Sequence, residues 1–160
     1  MRYFKWGVSR LILETTAITG RQPIVIPFFF TGMDKVMHEA RKWPRFVPRI
    51  RKDVRIRFGN PIPGTLIEPF VKRWGEICDD EKHNTRNVFE NAFPDVLRNG
   101  ERVRELRNEM SSILRNAVLG VRQEMGLPKE DPSAGLPDTW RHADKGGKTP
   151  GVVYEKERPL

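Results

Sequence analysis

From Phe4 the apolar or near-apolar positions Phe4, Val8, Leu11, Ile12 and Thr15 recur at three- and four-residue spacing. Lys5, Arg10 and Glu14 fall elsewhere on the wheel, which predicts a helix over 3–17. Gly20 supplies a C-terminal stop, and Gln22 before Pro23 favours extended backbone. The period then changes. Ile24, Val25 and Ile26 form a continuous β-branched run between Pro23 and Pro27, which predicts a short strand buried on both faces. Pro27 has no N–H to give a ladder. Phe28 to Gly32 is therefore expected at the strand's carboxyl end, where ligands bind in open α/β sheets.

The stretch His38 to Asp53 contains Pro44, Pro48 and six Lys or Arg, a composition that suits an irregular surface loop. After it Val54, Ile56 and Phe58 alternate with Arg55 and Arg57. This predicts a half-exposed strand near a sheet edge, its arginines facing solvent or an anionic surface. The turn sequence of residues 59–64, GNPIPG, follows. Leu66, Phe70, Arg73, Trp74 and Ile77 then suggest a shorter amphipathic helix, weakened by Pro69 in its first turn. Cys78 falls on that helix with no flanking His and reads as a packing residue rather than a nucleophile. Residues 79–100 are polar and interrupted, and their pattern defines no element.

From Glu101 the pattern is regular again: Val103, Leu106, Met110, Ile113, Leu114, Ala117, Val118, Val121 and Met125 form one stripe of a long helix. Beyond Gly126 prolines and glycines dominate. Residues 127–160 are therefore expected to be a flexible tail in which Trp140, Val152, Val153 and Tyr154 dock weakly, leaving 1–126 as the folded part.

At 160 residues the chain suits one domain, and 38% hydrophobic against 31% charged residues implies a modest core. Charge changes the picture more. Residues 1–60 hold thirteen Lys or Arg against four acids, an excess of nine positive charges, while the whole chain carries +8. A basic front half beside an apolar run invites an anionic partner, nucleic acid or a phospholipid surface. One cysteine excludes an intrachain disulfide. No run of 18 apolar residues is present, and the first residues lack the apolar core and cleavage site of a signal peptide.

Candidate chemistry is sparse. His38, His83 and His142 lie far apart in sequence, so a metal site is not expected. Asp34 and His38 stand four apart and would meet on a helix, but no nucleophile is nearby. No glycine-rich phosphate loop occurs. Arg41-Lys42-Trp43 and Arg45-Phe46 combine cations with aromatics, yet match no nucleic-acid recognition module.

Three strings in order, residues 3–12 (YFKWGVSRLI), 23–27 (PIVIP) and 31–36 (TGMDKV), continue at the same spacing into Pro44-Arg45-Phe46 and residues 54–62 (VRIRFGNPI). Over about residues 2–63 the chain resembles the tafazzin family, phospholipid–lysophospholipid transacylases of the glycerolipid acyltransferase superfamily. The resemblance implies an α/β fold, a partial glycerolipid-acyltransferase type with a mixed sheet flanked by helices. It also implies a mitochondrial membrane setting facing the intermembrane space, phospholipid and lysophospholipid substrates with cardiolipin as product class, and no cofactor. In that family a His separated by four residues from a following Asp deprotonates an acceptor hydroxyl, and a Phe-Pro-Glu-Gly block holds phosphate and glycerol groups. Five places after His38, His83 and His142 stand Trp43, Val88 and Gly147, so these 160 residues contain no such pair and no catalytic residue is assigned. The chain is accordingly expected to correspond to the carboxyl-terminal half of such an enzyme.

Two groups of residues follow as candidates. Pro23, Ile24, Val25, Ile26 and Pro27, with Thr31 and Gly32, would wall an acyl or acceptor pocket, and Lys5 and Arg10 would meet lipid headgroups. Phe28, Phe29, Phe30 and Trp43, flanked by Lys35, Arg41, Lys42 and Arg45, would contact the membrane. Gly7 and Gly32 are expected at positions of close approach or positive φ. Two alternatives stay open: a non-catalytic lipid-surface binding fragment or pseudoenzyme, and a basic nucleic-acid binder.

Overall fold

The computed structural model describes residues 4–37, 47–84, 95–136 and 139–140. It is a mixed α/β structure, mostly helical, with a small antiparallel sheet and a long helix toward the carboxyl end. Its elements are α1 (Gly7–Thr19), β1 (Phe28–Thr31), α2 (Met33–Val36), β2 (Arg55–Phe58), α3 (Gly64–Asn84), α4 (Asp95–Asn99) and α5 (Glu101–Glu124), with a 3-10 turn at Pro132–Gly135. Of the described residues, those within 4–27 and 60–117 make one compact unit, and those within 28–59 and 118–140 make a second.

The first unit is helical. Along α3 the residues Ile67, Phe70, Trp74 and Ile77 recur at helical spacing and are all buried. They join Ile12 and Leu13 of α1, Leu97 of α4, and Val103, Leu106, Met110 and Leu114 of α5 in one apolar core. Each such side chain contributes roughly 1.5–3 kcal/mol by leaving water. The α5 stripe read from the sequence thus faces this core through Leu114. Cys78 is half-buried and packs against the same cluster, as expected.

Two helix bounds differ from expectation for local reasons. The first helix starts at Gly7 rather than residue 3 and runs to Thr19. Over its last turn the hydroxyls of Thr16 and Thr19 donate to the carbonyls of Ile12 and Thr15, one turn back. Gly20, at φ 67°, then closes it with its N–H on Thr16 O. Pro69 lies inside α3, and the helix nevertheless extends through the polar run to Asn84. Its buried face outweighs the one lost hydrogen bond.

The strand expectation is corrected at Ile24 to Ile26. These residues are extended but form no strand; Ile24 is 80% exposed and Ile26 half exposed, while Val25 alone packs against the core. Its carbonyl accepts from Ile62 N–H at 2.8 Å, the bond that fastens this segment to the turn before α3. The strand begins just after Pro27, because proline can precede a ladder but not donate to it.

The second unit is built on a two-stranded antiparallel ribbon, β1 with β2, in the register Phe28↔Phe58, Phe29↔Arg57, Phe30↔Ile56 and Thr31↔Arg55. The β2 alternation was legible, but all four of its residues are exposed, apolar ones included. In the same unit Trp140 is buried with its indole N–H on Ala134 O at 2.8 Å, and Thr139 donates to Ser133 O. Trp140 therefore docks, as expected; Val152, Val153 and Tyr154 lie outside the described residues.

Candidate functional site

Antiparallel pairing places Phe28, Phe30, Ile56 and Phe58 on one face of the ribbon, since side chains alternate along each strand and register partners share a face. The ring of Phe28 lies 6.4 Å from that of Phe30 and 5.7 Å from that of Phe58. These are aromatic-pair distances, yet all four side chains stand open to solvent, Phe58 at 68%. Phe29 and Thr31, on the opposite face, are half-buried. That face also carries Arg55 and Arg57, and Arg57 pairs with Glu124 at the end of α5, 2.9 Å away.

Gly32 ends β1 at φ 91°, and a Cβ there would stand 2.1 Å from Asp53 O. Only glycine admits that crossing, which holds the segment leading into β2 against the end of β1. The expectation for Gly32 is met. It fails for Gly7, where a Cβ would meet open space. Arg51 has φ 58°, a left-handed conformation in a residue that avoids it.

Lys35, on α2, is exposed. Of the other membrane candidates, Arg41, Lys42, Trp43 and Arg45 lie outside the described residues. Asp34 lies on α2, which ends at Val36 with Met37 extended; His38, its expected partner, lies outside the described residues.

The remaining candidates belong to the helical unit. Lys5 is exposed, whereas Arg10 is committed within α1, its Nε donating to Glu14 at 2.6 Å. Pro27 is buried, Pro23 half-buried, and Ile24 and Ile26 face outward. None of these residues lines a cavity of about 490 Å³ found among the described residues of the unit. That cavity is bounded by Ile77, Val96, Gly100 and Val103, with Asp80, Glu81 and Glu101 at its wall and Arg102 bonded to Asp80 at 3.0 Å. Its carboxylates have the wrong sign for a phosphate. Among the described residues no three His, Cys, Asp or Glu come together to hold a metal.

Sequence reading missed two buried polar groups on α5. Arg107, 1% exposed, donates from its two terminal nitrogens to the carbonyls of Arg98 and Leu97, satisfying the end of α4. Its guanidinium lies 5.2 Å and 5.4 Å from the rings of Trp6 and Trp74, and 3.6 Å from the Glu14 carboxylate. Burial pushes its pKa below the ordinary arginine value, with Glu14 opposing that shift. Ser9 and Ser111 share a buried hydroxyl pair at 2.7 Å that links α1 to α5. Both α5 residues sit on the apolar stripe, and their place on it was the available signal. These groups shape the core rather than a reaction centre.

Comparison with known proteins extends the resemblance beyond the front segment. The chain is 33% identical to the tafazzin of Saccharomyces cerevisiae over 159 aligned residues, covering 95% of this chain and 40% of that protein. It is 42% identical to the taffazin of Dictyostelium discoideum over 60 residues, 38% of this chain and 20% of that one. No family model matches. The chain thus spans less than half the length of the curated relatives it matches, and coverage this broad requires that residues beyond 63 take part in the likeness. With that likeness across nearly all of its residues, the chain is a tafazzin-like protein.

Proposed function

We propose that the chain supplies a lipid-positioning part of a tafazzin-type acyltransferase, working at a membrane surface in O-acyl transfer between phospholipid and lysophospholipid. The setting of this reading is cardiolipin remodelling at a mitochondrial membrane, on the side facing the intermembrane space. The observation that carries it is a match to yeast tafazzin, 33% identical, that covers 95% of the chain. The exposed face of Phe28, Phe30, Ile56 and Phe58 supports a peripheral mode of membrane contact. Among the described residues no helix is long and apolar enough to cross a bilayer.

The chemistry requires the acceptor lysophospholipid's hydroxyl to lose its proton to a base as its oxygen attacks the donor's ester carbonyl, and the donor's glycerol oxygen then leaves and takes up that proton. No His-x4-Asp pair stands in these 160 residues to take that proton. The contribution assigned here is therefore to hold and orient lipid: Phe28 and Phe30 with Lys35 at the surface, Ile24 and Ile26 beside an acyl chain, and Lys5 toward a headgroup, while Phe29, half-buried on the other face of the ribbon, does not join that contact. A chimera of yeast tafazzin carrying this chain in place of its matching region tests the reading. Acyl transfer from phosphatidylcholine to monolysocardiolipin is expected from the chimera and not from the isolated chain. A well-folded chimera without activity, or transfer by the isolated chain above background, contradicts it.

A further inference from the structure

The second strand of the ribbon and the segment leading into it carry a feature that the lipid-positioning role does not require. Every residue from 47 to 58 is exposed. Within that stretch Ile50 is 81% exposed and Ile56 and Phe58 stand open, while five Lys or Arg between 49 and 57 face one acid, Asp53. Over the described residues 28–37 and 47–59 together, six cations face two acids. Arg57 has an anionic partner in Glu124. Arg51 adopts φ 58°, an unusual backbone for arginine, within this basic segment.

We infer that residues 50–58 form a docking strip for an anionic lipid surface, with Ile50, Ile56 and Phe58 entering the interface and Arg51, Lys52 and Arg55 selecting acidic headgroups. The inference rests on the membrane-surface reading above and adds headgroup charge selectivity to it. Charge complementarity argues for this occupant: an excess of cations interleaved with open aliphatic side chains matches a layer of acidic headgroups over hydrocarbon. Of the strip's three apolar side chains only Phe58 offers a base a ring to stack on; Ile50, the most exposed, and Ile56 offer none, so the interleaving favours lipid over nucleic acid. The ribbon is one backbone thick. Arg55, on its other face, stays within about one Debye length, roughly 8 Å, of a bilayer touched by Phe58.

Sedimentation of the whole chain with vesicles tests the inference, comparing phosphatidylcholine alone with phosphatidylcholine containing a minority of phosphatidylglycerol. The variant combines Arg51→Asn, Lys52→Gln and Arg55→Gln. Asn accepts the left-handed backbone at 51, and all three side chains are exposed, so the urea midpoint should be unchanged. Each surface cation contributes about fivefold, so the variant is expected to lose on the order of 100-fold in binding to anionic vesicles and to keep its binding to neutral ones. An unchanged anionic preference in the variant overturns the strip while leaving the membrane reading intact. Equal wild-type binding to both vesicle types does the same. No wild-type binding to either overturns the membrane reading and the strip with it. Displacement from vesicles by duplex DNA, with Phe28→Ser and Phe30→Ser leaving vesicle binding unchanged, assigns the cations to nucleic acid and overturns the strip.

Discussion

In the helical unit Ile67, Phe70 and Trp74 turn inward, and the outward positions of α3 and α5 carry residues such as Lys72, Glu76, Arg104 and Glu105. In the ribbon Phe28, Phe30, Ile56 and Phe58 turn outward, and an ion pair sits on the opposite side. The same residue types are used in opposite senses. Burying aromatic surface stabilises a fold; leaving a paired aromatic face open sacrifices that gain and marks a surface for contact with something apolar. Helix α1 stands between the two cases. Ser9, Ile12 and Leu13 face the core, while Leu11 and Ile18 on its far side remain exposed.

Breaking the helical side of this comparison should have the largest effect. Trp74→Ala removes a core side chain that also covers the buried Arg107 guanidinium, and is expected to cost about 3–5 kcal/mol in urea unfolding. Next comes the ribbon's own constraint. Gly32→Ala places a methyl against Asp53 O and forces a positive φ on alanine, at a cost of about 1–3 kcal/mol. Amide exchange at Arg49, whose N–H is bonded to Val36 O, should speed up before the helical core opens.

The hydroxyl pair offers a finer test. Ser9→Ala or Ser111→Ala alone leaves a buried hydroxyl unpaired and should cost about 1–2 kcal/mol, whereas the double variant should cost less than the sum of the two. Smallest is the exposed Arg73–Glu109 pair, 2.6 Å apart. Its hydrogen bond holds the Glu109 carboxyl below the usual range and raises Arg73. The stabilisation is present above the unfolded glutamate pKa of about 4.3 and is lost as pH falls through the lower folded value. Solvent screens it, so Glu109→Gln should change neutral-pH stability by less than about 0.5 kcal/mol and flatten the acid limb slightly.

How far the sequence foretold this follows from where packing agreed with local pattern. The stripe from Val103 to Leu114 was legible because a 3.6-residue period is the condition for facing one core. Gly20 and Gly32 were legible because backbone geometry demands them. The strand was misplaced by a few residues: Ile24 to Ile26 has the composition of a buried strand, but its ladder partners lie beside Phe28 to Thr31, and composition carries no register. The outward turn of Phe28 and Phe30 is set by pairing with Phe58 and Ile56, a contact between residues 26 and 30 positions apart in the chain. Arg107 was hidden for a similar reason, since the carbonyls and rings that satisfy it come from α4, α3 and the residue before α1.

The contrast between the two faces can be read directly with an environment-sensitive nitrobenzoxadiazole label. In a Cys78→Ser background, one protein carries the label at Phe30→Cys on the ribbon and another at Glu105→Cys on the charged face of α5. On adding vesicles of phosphatidylcholine and phosphatidylglycerol, a blue shift and brightening are expected at position 30 and no change at 105. A shift at 105 with none at 30, or no shift at either site, would contradict it.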